Sequence, residues 1–285
     1  MNPDFHVTLL SRIEDAGLNA SAPPQQRWLD GWLLRTNPGK AKRARCINAV
    51  AGGRLSLTEK LRLAKPVFED AGLPMVVRIT PFTQPATLDD ELAAMGWTLL
   101  DDTRVMVCPQ LPASLGMSSP PPMPAGLYWR WLEAPLYAQA LGRLRGSPAL
   151  QVQAHAERLA ASAVPYQGFA LCAGTGQSGQ RLLGSGFSRD QGDAEDACAV
   201  VACAQFVREA ELVGLYDVYT APSHRQQGLA KLICERLLAL ASSEGGRVGY
   251  LQVEGDNHAA RRIYQRLGFA DAYAYHYRVE PGALV

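Results

Sequence analysis

Residues 213–220 read Val-Gly-Leu-Tyr-Asp-Val-Tyr-Thr, an apolar and aromatic run of β formers that stops before Pro222. From Leu229 the chain changes to strong helix formers. The pattern predicts a strand, a polar loop and a helix, and the other elements fall into place on either side. Upstream, an amphipathic helix within residues 1–20 leads to a strand at 27–34 with Trp28 and Trp32 on one face. A turn at Asn37-Pro38-Gly39 and the basic run Lys40, Lys42, Arg43 and Arg45 then suggest a hairpin with a basic tip. Ser56-Leu57-Thr58-Glu59 has the capping-box spacing and opens a helix that runs to about residue 71, with a kink or early break at Pro66. A strand at 75–80, a helix at 88–95 and a strand at 104–108 close this half.

Six prolines between residues 109 and 124 keep that stretch extended and mark a linker. The second half predicts a strand at 127–131, helices at 135–144 and 150–162, and a strand at 168–173. A segment at 182–187, a polar loop at 190–196 and a strand at 199–207 come before the strand, loop and helix already described. Gly245-Gly246 stops that helix, a strand covers 248–254, and a helix at 257–267 ends at Gly268. A last strand at 272–279 alternates Tyr273, Tyr275 and Tyr277.

The two halves align on each other. Lys60-Leu61 falls on Lys231-Leu232 (231 − 60 = 171) and Gly96-Trp97 on Gly268-Phe269 (268 − 96 = 172), while Ile79 falls on Val253 at a similar offset. A nearly constant spacing across helix, strand and helix end indicates two copies of one fold. With 285 residues the chain is long enough for both. A hydrophobic content of 47% and a formal charge of +1 describe a soluble globular protein with no bulk attraction to nucleic acid or membrane, so any anion site is local. Residues 1–20 lack the uninterrupted apolar core of a signal peptide, and no stretch approaches a membrane span. Six scattered cysteines without Cys-x-x-Cys spacing predict neither a disulfide nor a zinc site, and a cytoplasmic location.

The chemistry starts in the loop Arg225-Gln226-Gln227-Gly228-Leu229-Ala230. Gly228 and Ala230 leave room for several N–H groups at a helix start to face one anion, a cradle suited to a pyrophosphate. Arg-x-x-Gly-x-Ala between a strand and a helix resembles the acetyl-CoA signature of the GNAT superfamily of N-acetyltransferases. Asn257-x-x-Ala260-x-x-x-Tyr264-x-x-x-Gly268-Phe269 resembles the same family and places residues 257, 260 and 264 on one helix face. The resemblance covers residues 126–279 and is densest over 213–269.

It implies an α+β chain of two GNAT-like α/β domains in tandem, each a mixed, mostly antiparallel sheet flanked by helices. Residues 1–112 form a degenerate first domain, 113–125 a linker and 126–285 the domain that binds acetyl-CoA. At an offset of 171, Leu57 and Glu59 of the first copy stand where the second has Gly228 and Ala230, and at an offset of 172 Leu92 meets Tyr264. An aliphatic side chain and a carboxylate block and repel a pyrophosphate, so one CoA site per chain is expected.

By the resemblance, the pantetheine arm pairs with the open edge of the strand at 216–220 through main-chain N–H groups of Val218 and Thr220, on either side of Tyr219. Fixed N–H groups there also stabilise a tetrahedral oxyanion. Tyr264 is the expected general acid for the CoA thiolate, against the simpler role of a core aromatic, and Asn257 a hydrogen-bond partner of the arm. An ammonium near its usual pKa needs a base. Asp217 and Glu254 are the candidates, although Asp217 equally suits an edge-strand charge and Glu254 a helix-cap partner. His276 and Arg278 sit in a Tyr-x-Tyr-Arg ending also seen in relatives, with His276 read as sheet filler and His224 as solvent-exposed.

The expected activity is transfer of an acetyl group from acetyl-CoA to a primary amine, of a small molecule or a peptide, by direct attack in a ternary complex. No metal, nucleic acid or membrane partner is expected, and exposed strands allow a homodimer. The alternative is a non-catalytic acyl-CoA sensor or interaction module; a third reading is an enzyme for another acyl group. The four cations at 40–45 are candidates to contact an acidic substrate or a cofactor phosphate, against the commoner explanation of a solvated hairpin surface.

Overall fold

The computed structural model describes residues 1–111, 123–174 and 199–283. Residues 113–122 of the expected linker, the segment at 182–187 and the polar loop at 190–196 lie outside them. The first half contains α1 (Val7–Ala20), β1 (Gln26–Leu29), β2 (Trp32–Arg35), β3 (Ile47–Ala49), α2 (Leu57–Asp70), β4 (Val76–Ile79), α3 (Leu88–Ala94) and β5 (Thr98–Cys108). The second contains β6 (Leu127–Leu132), α4 (Ala134–Arg145), α5 (Ala149–Ala160), β7 (Tyr166–Ala173), β8 (Ala199–Glu209) and β9 (Leu212–Thr220). It continues with α6 (Leu229–Ser243), β10 (Val248–Glu254), α7 (His258–Arg266) and β11 (Ala270–Val279).

The mixed, mostly antiparallel architecture is as expected, but the two copies share one sheet. Its order is β1-β2-β3-β4-β11-β5-β10-β9-β8-β7-β6. Only β3–β4 and β9–β10 run parallel. The final strand of each half crosses into the other: β5 lies between β10 and β11, and β11 between β4 and β5. The order is therefore nearly palindromic about the β11–β5 pair, with β4 answering β10 and β3 answering β9.

Strand alternation sends successive side chains to opposite faces. On one face α2 and α3 pack on Ile47, Val77 and Ile79, and α6 and α7 on Met106, Leu215 and Leu251. On the other, α1 packs on Val76, Val105, Tyr216 and the three alternating tyrosines, and α4 with α5 on Ala170 and Cys203. Under α1 lies an ionic group: Glu14 pairs with Arg78 and accepts from the Tyr273 hydroxyl at 2.7 Å. Burial pushes the Glu14 carboxyl up, and the Arg78 charge and hydrogen bonds reverse this to hold it below its usual range.

Several local expectations change. The strand read at 27–34 is a hairpin, because Asp30 (φ 42°) and Gly31 (φ 85°) form a two-residue turn with Leu29 facing Trp32. Helix α2 runs through Pro66, which is exposed, so the carbonyl it leaves unpaired faces water. The basic run is not a solvated tip: the Arg43 guanidinium lies 5.6 Å from the Tyr216 ring centre, and Lys42 pairs with Asp101 at 2.9 Å. Cys172 is disulfide-bonded, contrary to expectation, because pairing is set by tertiary proximity and not by the absence of a Cys-x-x-Cys spacing. Cys46, Cys108, Cys203 and Cys234 are free and buried. No helix among the described residues is long and apolar enough to cross a membrane, and no group of His, Cys, Asp and Glu among them is placed to hold a metal ion.

Candidate acyl-transfer site

Strands β9 and β10 pair in parallel from Leu212↔Val248 to Leu215↔Leu251 and then separate. Beyond that point β10 stays with β5 through Gln252, Val253 and Glu254, while β9 stays with β8. A wedge opens between them. The N–H of Ala221 donates to the Val201 carbonyl of β8 at 2.8 Å, so by alternation the N–H group of Thr220 faces the wedge. The Thr220 hydroxyl is buried there with no hydrogen-bond partner. An extended chain laid along this edge finds donors in place.

The expected cradle stands at the mouth of the wedge. Gly228 is the N-cap of α6 at φ 76°, with no side-chain cap, and Gln226 is also left-handed at φ 62°. The helix's first internal bond is Leu232 N–H to Gly228 O at 3.0 Å. The N–H groups of residues 226–231 therefore have no partner among the described residues, and they carry the positive end of the helix dipole. Nothing lies within 4 Å of where a Gly228 Cβ would be. Arg225 reaches back to the Thr220 carbonyl at 3.4 Å and lies over Tyr219, and Lys231 pairs with Glu235 at 2.7 Å. Open space, free donors and an orphaned hydroxyl together fit a pyrophosphate with its attached arm.

Asp217 sits on a β-bulge at φ 52°, where two residues of β9 face one of β8. The bulge turns its carboxylate to α4 and α5, where it meets Arg145 at 3.0 Å, Gln205 at 2.7 Å and His155 Nε2 at 3.3 Å. Burial pushes this carboxyl up, but the Arg145 charge and His155 outweigh it and hold it well below the usual carboxylate range. A carboxylate so held accepts a proton poorly and is better suited to anchoring. Arg145, His155 and Gln205 were not singled out from sequence, since nothing in their local pattern points to a bulge 12 to 72 residues away.

The remaining candidates are dispersed. Tyr264 packs into the core under α7, edge-on to Phe269 at 6.3 Å between ring centres. Burial, with Cys234 nearby, pushes its phenol above the usual range, so it holds its proton. Asn257 caps α7 by accepting from Ala260 N–H at 3.1 Å, which leaves its amide NH₂ available. Glu254 is exposed at the end of β10, and its backbone carbonyl accepts from Asn257 N–H at 3.1 Å. His276 and Arg278 both meet Asp89 of α3, at 2.9 and 2.7 Å, away from the wedge. His224 bonds only Ser223, at 2.9 Å.

The first half has the same geometry in closed form. Helix α2 starts 172 residues before α6 (229 − 57), which places Ser56 opposite Gly228, one position from the alignment read from sequence. The Ser56 hydroxyl accepts from Glu59 N–H at 3.3 Å. The N–H groups of Arg54 and Leu55, counterparts of residues 226 and 227, donate to the Asp30 carboxylate at 3.0 and 2.9 Å. Lys60 pairs with the same carboxylate at 3.2 Å. These main-chain bonds hold the Asp30 carboxyl below its usual value. The chain's own anion fills the place that stands open in the second half.

Residues 182–269 match the model of the Acetyltransferase (GNAT) family. Among solved structures, a GCN5-related N-acetyltransferase from Kribbella flavida superposes with a TM-score of 0.61 at 16% identity, covering 96% of each chain. A tandem GNAT protein from the clavulanic acid biosynthesis pathway superposes with a TM-score of 0.60 at 14% identity, covering 94% of this chain and 88% of that one. A functionally unknown conserved protein from Staphylococcus epidermidis gives 0.55 at 7% identity, over 89% and 92%. A search of curated protein sequences finds no match. The second half thus carries a GNAT domain, and the chain as a whole has the tandem GNAT fold.

Proposed function

We propose that this protein is an N-acetyltransferase that moves an acetyl group from acetyl-CoA to a primary amine by direct attack in a ternary complex. The observation that carries the reading is the open wedge beside β9, ending at the uncapped, glycine-led start of α6. Residues 225–230 hold the pyrophosphate, and Val218, Tyr219 and Thr220 present the strand edge to the arm. The cofactor supplies an activated acyl group. The N–H of Val218 stabilises the oxyanion, and the Asn257 amide hydrogen-bonds the arm. Tyr264, kept protonated by burial, delivers a proton to the departing thiolate. Glu254, exposed at the end of β10, is the better-placed base, acting through water, and Asp217 anchors the bulge. We further infer that residues 1–112 and 126–285 are the two units of the tandem and that the first binds no CoA.

The alternative of a non-catalytic acyl-CoA sensor draws support from the engagement of Asp217, which removes one of the two candidate bases. Calorimetric titration with acetyl-CoA tests the common root. One-to-one binding is expected, with at least a hundredfold loss in Gly228→Glu, where a carboxylate is set among donors meant for phosphate and a left-handed site takes a side chain. Absence of binding in the wild type overturns both readings. Thiol release from acetyl-CoA that accelerates with added amine selects the enzyme, and binding without it selects the sensor.

A further inference from the structure

Between the β2–β3 loop of the first half and helices α4 and α5 of the second lies a cavity of about 50 Å³, floored by Asp217. We propose that it binds an anionic group, a carboxylate or a phosphate, carried by the acceptor amine; this rests on the acyl-transfer reading above. Three cations line it, Lys40, Arg145 and Arg158, against the single carboxylate of Asp217. That carboxylate is already matched by Arg145, and Arg158 donates to the Ala20 carbonyl at 3.2 Å and lies over the Tyr166 ring, so the positive charge of Lys40 is left over for a ligand. Lys40 is exposed and has no ion-pair partner among the described residues. The Nε2 of His155 is buried at the cavity wall and faces Asp217 Oδ2 at 3.3 Å, so the imidazole lies beside the carboxylate that Arg145 holds.

The walls are built for close approach. A Cβ on Gly39 would stand 2.6 Å from Asn37 Oδ1, and that oxygen accepts from Gly39 N–H at 2.9 Å, fixing the loop that presents Lys40. A Cβ on Gly142 would stand 2.4 Å from Val152 Cγ2, so α4 and α5 meet where the cavity needs both. The Arg145 guanidinium lies 5.4 Å from the Tyr219 ring centre, which holds it on the wall. The volume admits a carboxylate or phosphate but not a whole acceptor. Asp217 lies on β9 three residues before Thr220, whose N–H faces the wedge, so an acceptor anchored here by its anionic end has its amine beside the thioester. The first half thereby sets acceptor charge: cationic polyamines and lysine-rich peptides are disfavoured, and amines bearing an acid are preferred.

A crossed titration tests this on the full chain, with succinate and inorganic phosphate as probes and wild type, Lys40→Glu and Gly228→Glu as hosts. Saturable one-to-one binding of at least one probe is expected in the wild type, retained in Gly228→Glu and weakened tenfold or more in Lys40→Glu. The stronger probe identifies carboxylate or phosphate as the group recognised. Acetyl-CoA is expected to show the reverse, lost in Gly228→Glu and kept in Lys40→Glu. Anion binding that vanishes in Gly228→Glu but survives Lys40→Glu belongs to the cradle and overturns the proposal, as does no saturable binding of either probe. Failure of acetyl-CoA to bind while the anion pattern holds removes the acyl-transfer reading and leaves the cavity assigned.

Discussion

Helices α2 and α6 begin at equivalent points of the two halves, each following a strand that parallels its neighbour, yet their N-termini meet opposite fates. At α2 the donors are consumed: the Ser56 hydroxyl takes Glu59 N–H, and Asp30 takes Arg54 and Leu55. At α6 a left-handed Gly228 provides no side-chain cap, and six successive N–H groups have no partner among the described residues. The sheet and helix geometry are common to both copies. What separates a ligand site from a structural joint is whether the chain supplies its own anion. The same comparison gives the first half an active part, since its β2–β3 loop, with Lys40, reaches the Asp217 bulge of the second.

The exchange of β5 and β11 provides the sharpest way to break the comparison. Residues 123–285 expressed alone leave β11 without both of its partners and β10 with one exposed edge. Loss of cooperative thermal unfolding is expected, with recovery on co-expression of residues 1–111. A second half that folds and binds acetyl-CoA unaided would show that the shared strands are dispensable.

Next in size is Tyr264, which faces a leucine, Leu92, in the repeat. If it is the general acid, Tyr264→Phe lowers turnover by about 10- to 100-fold with acetyl-CoA affinity unchanged. Unaltered turnover reduces it to a core side chain like its counterpart.

The smallest effect is expected at Asp30. Its carboxyl titrates lower folded than unfolded, so its contribution is complete above about pH 4 and fades as pH falls through the depressed value. Asp30→Asn is accordingly expected to lower Tm by a few degrees at pH 7, with the gap from wild type narrowing as the pH falls through the acid range, while acetyl-CoA stoichiometry stays at one. A second equivalent bound would mean that Asp30 alone closes the first cradle.

Much of this was legible in the chain. The run at 213–220, the polar loop and the helix from Leu229 predict β9, the cradle and α6 because strand alternation, a left-handed glycine and helix propensity are local properties. Asp30-Gly31 was equally local, a hairpin signal between Leu29 and Trp32 that the reading of residues 27–34 as one strand passed over. The partners of Asp217 were not legible: Arg145 and His155 come from two helices far upstream, and only packing brings them to the bulge.

The sequence by itself determined the two-copy architecture and the glycine-led start of α6, because both rest on contacts between residues close along the chain or repeated at fixed spacing. The tertiary structure alone decided that the copies exchange their last strands, that Asp30 fills one cradle, and that Asp217 is bound rather than free. Each of those outcomes depends on which distant groups share a buried volume. There a charge must find its partner and a strand edge its neighbour, and no local pattern records the choice.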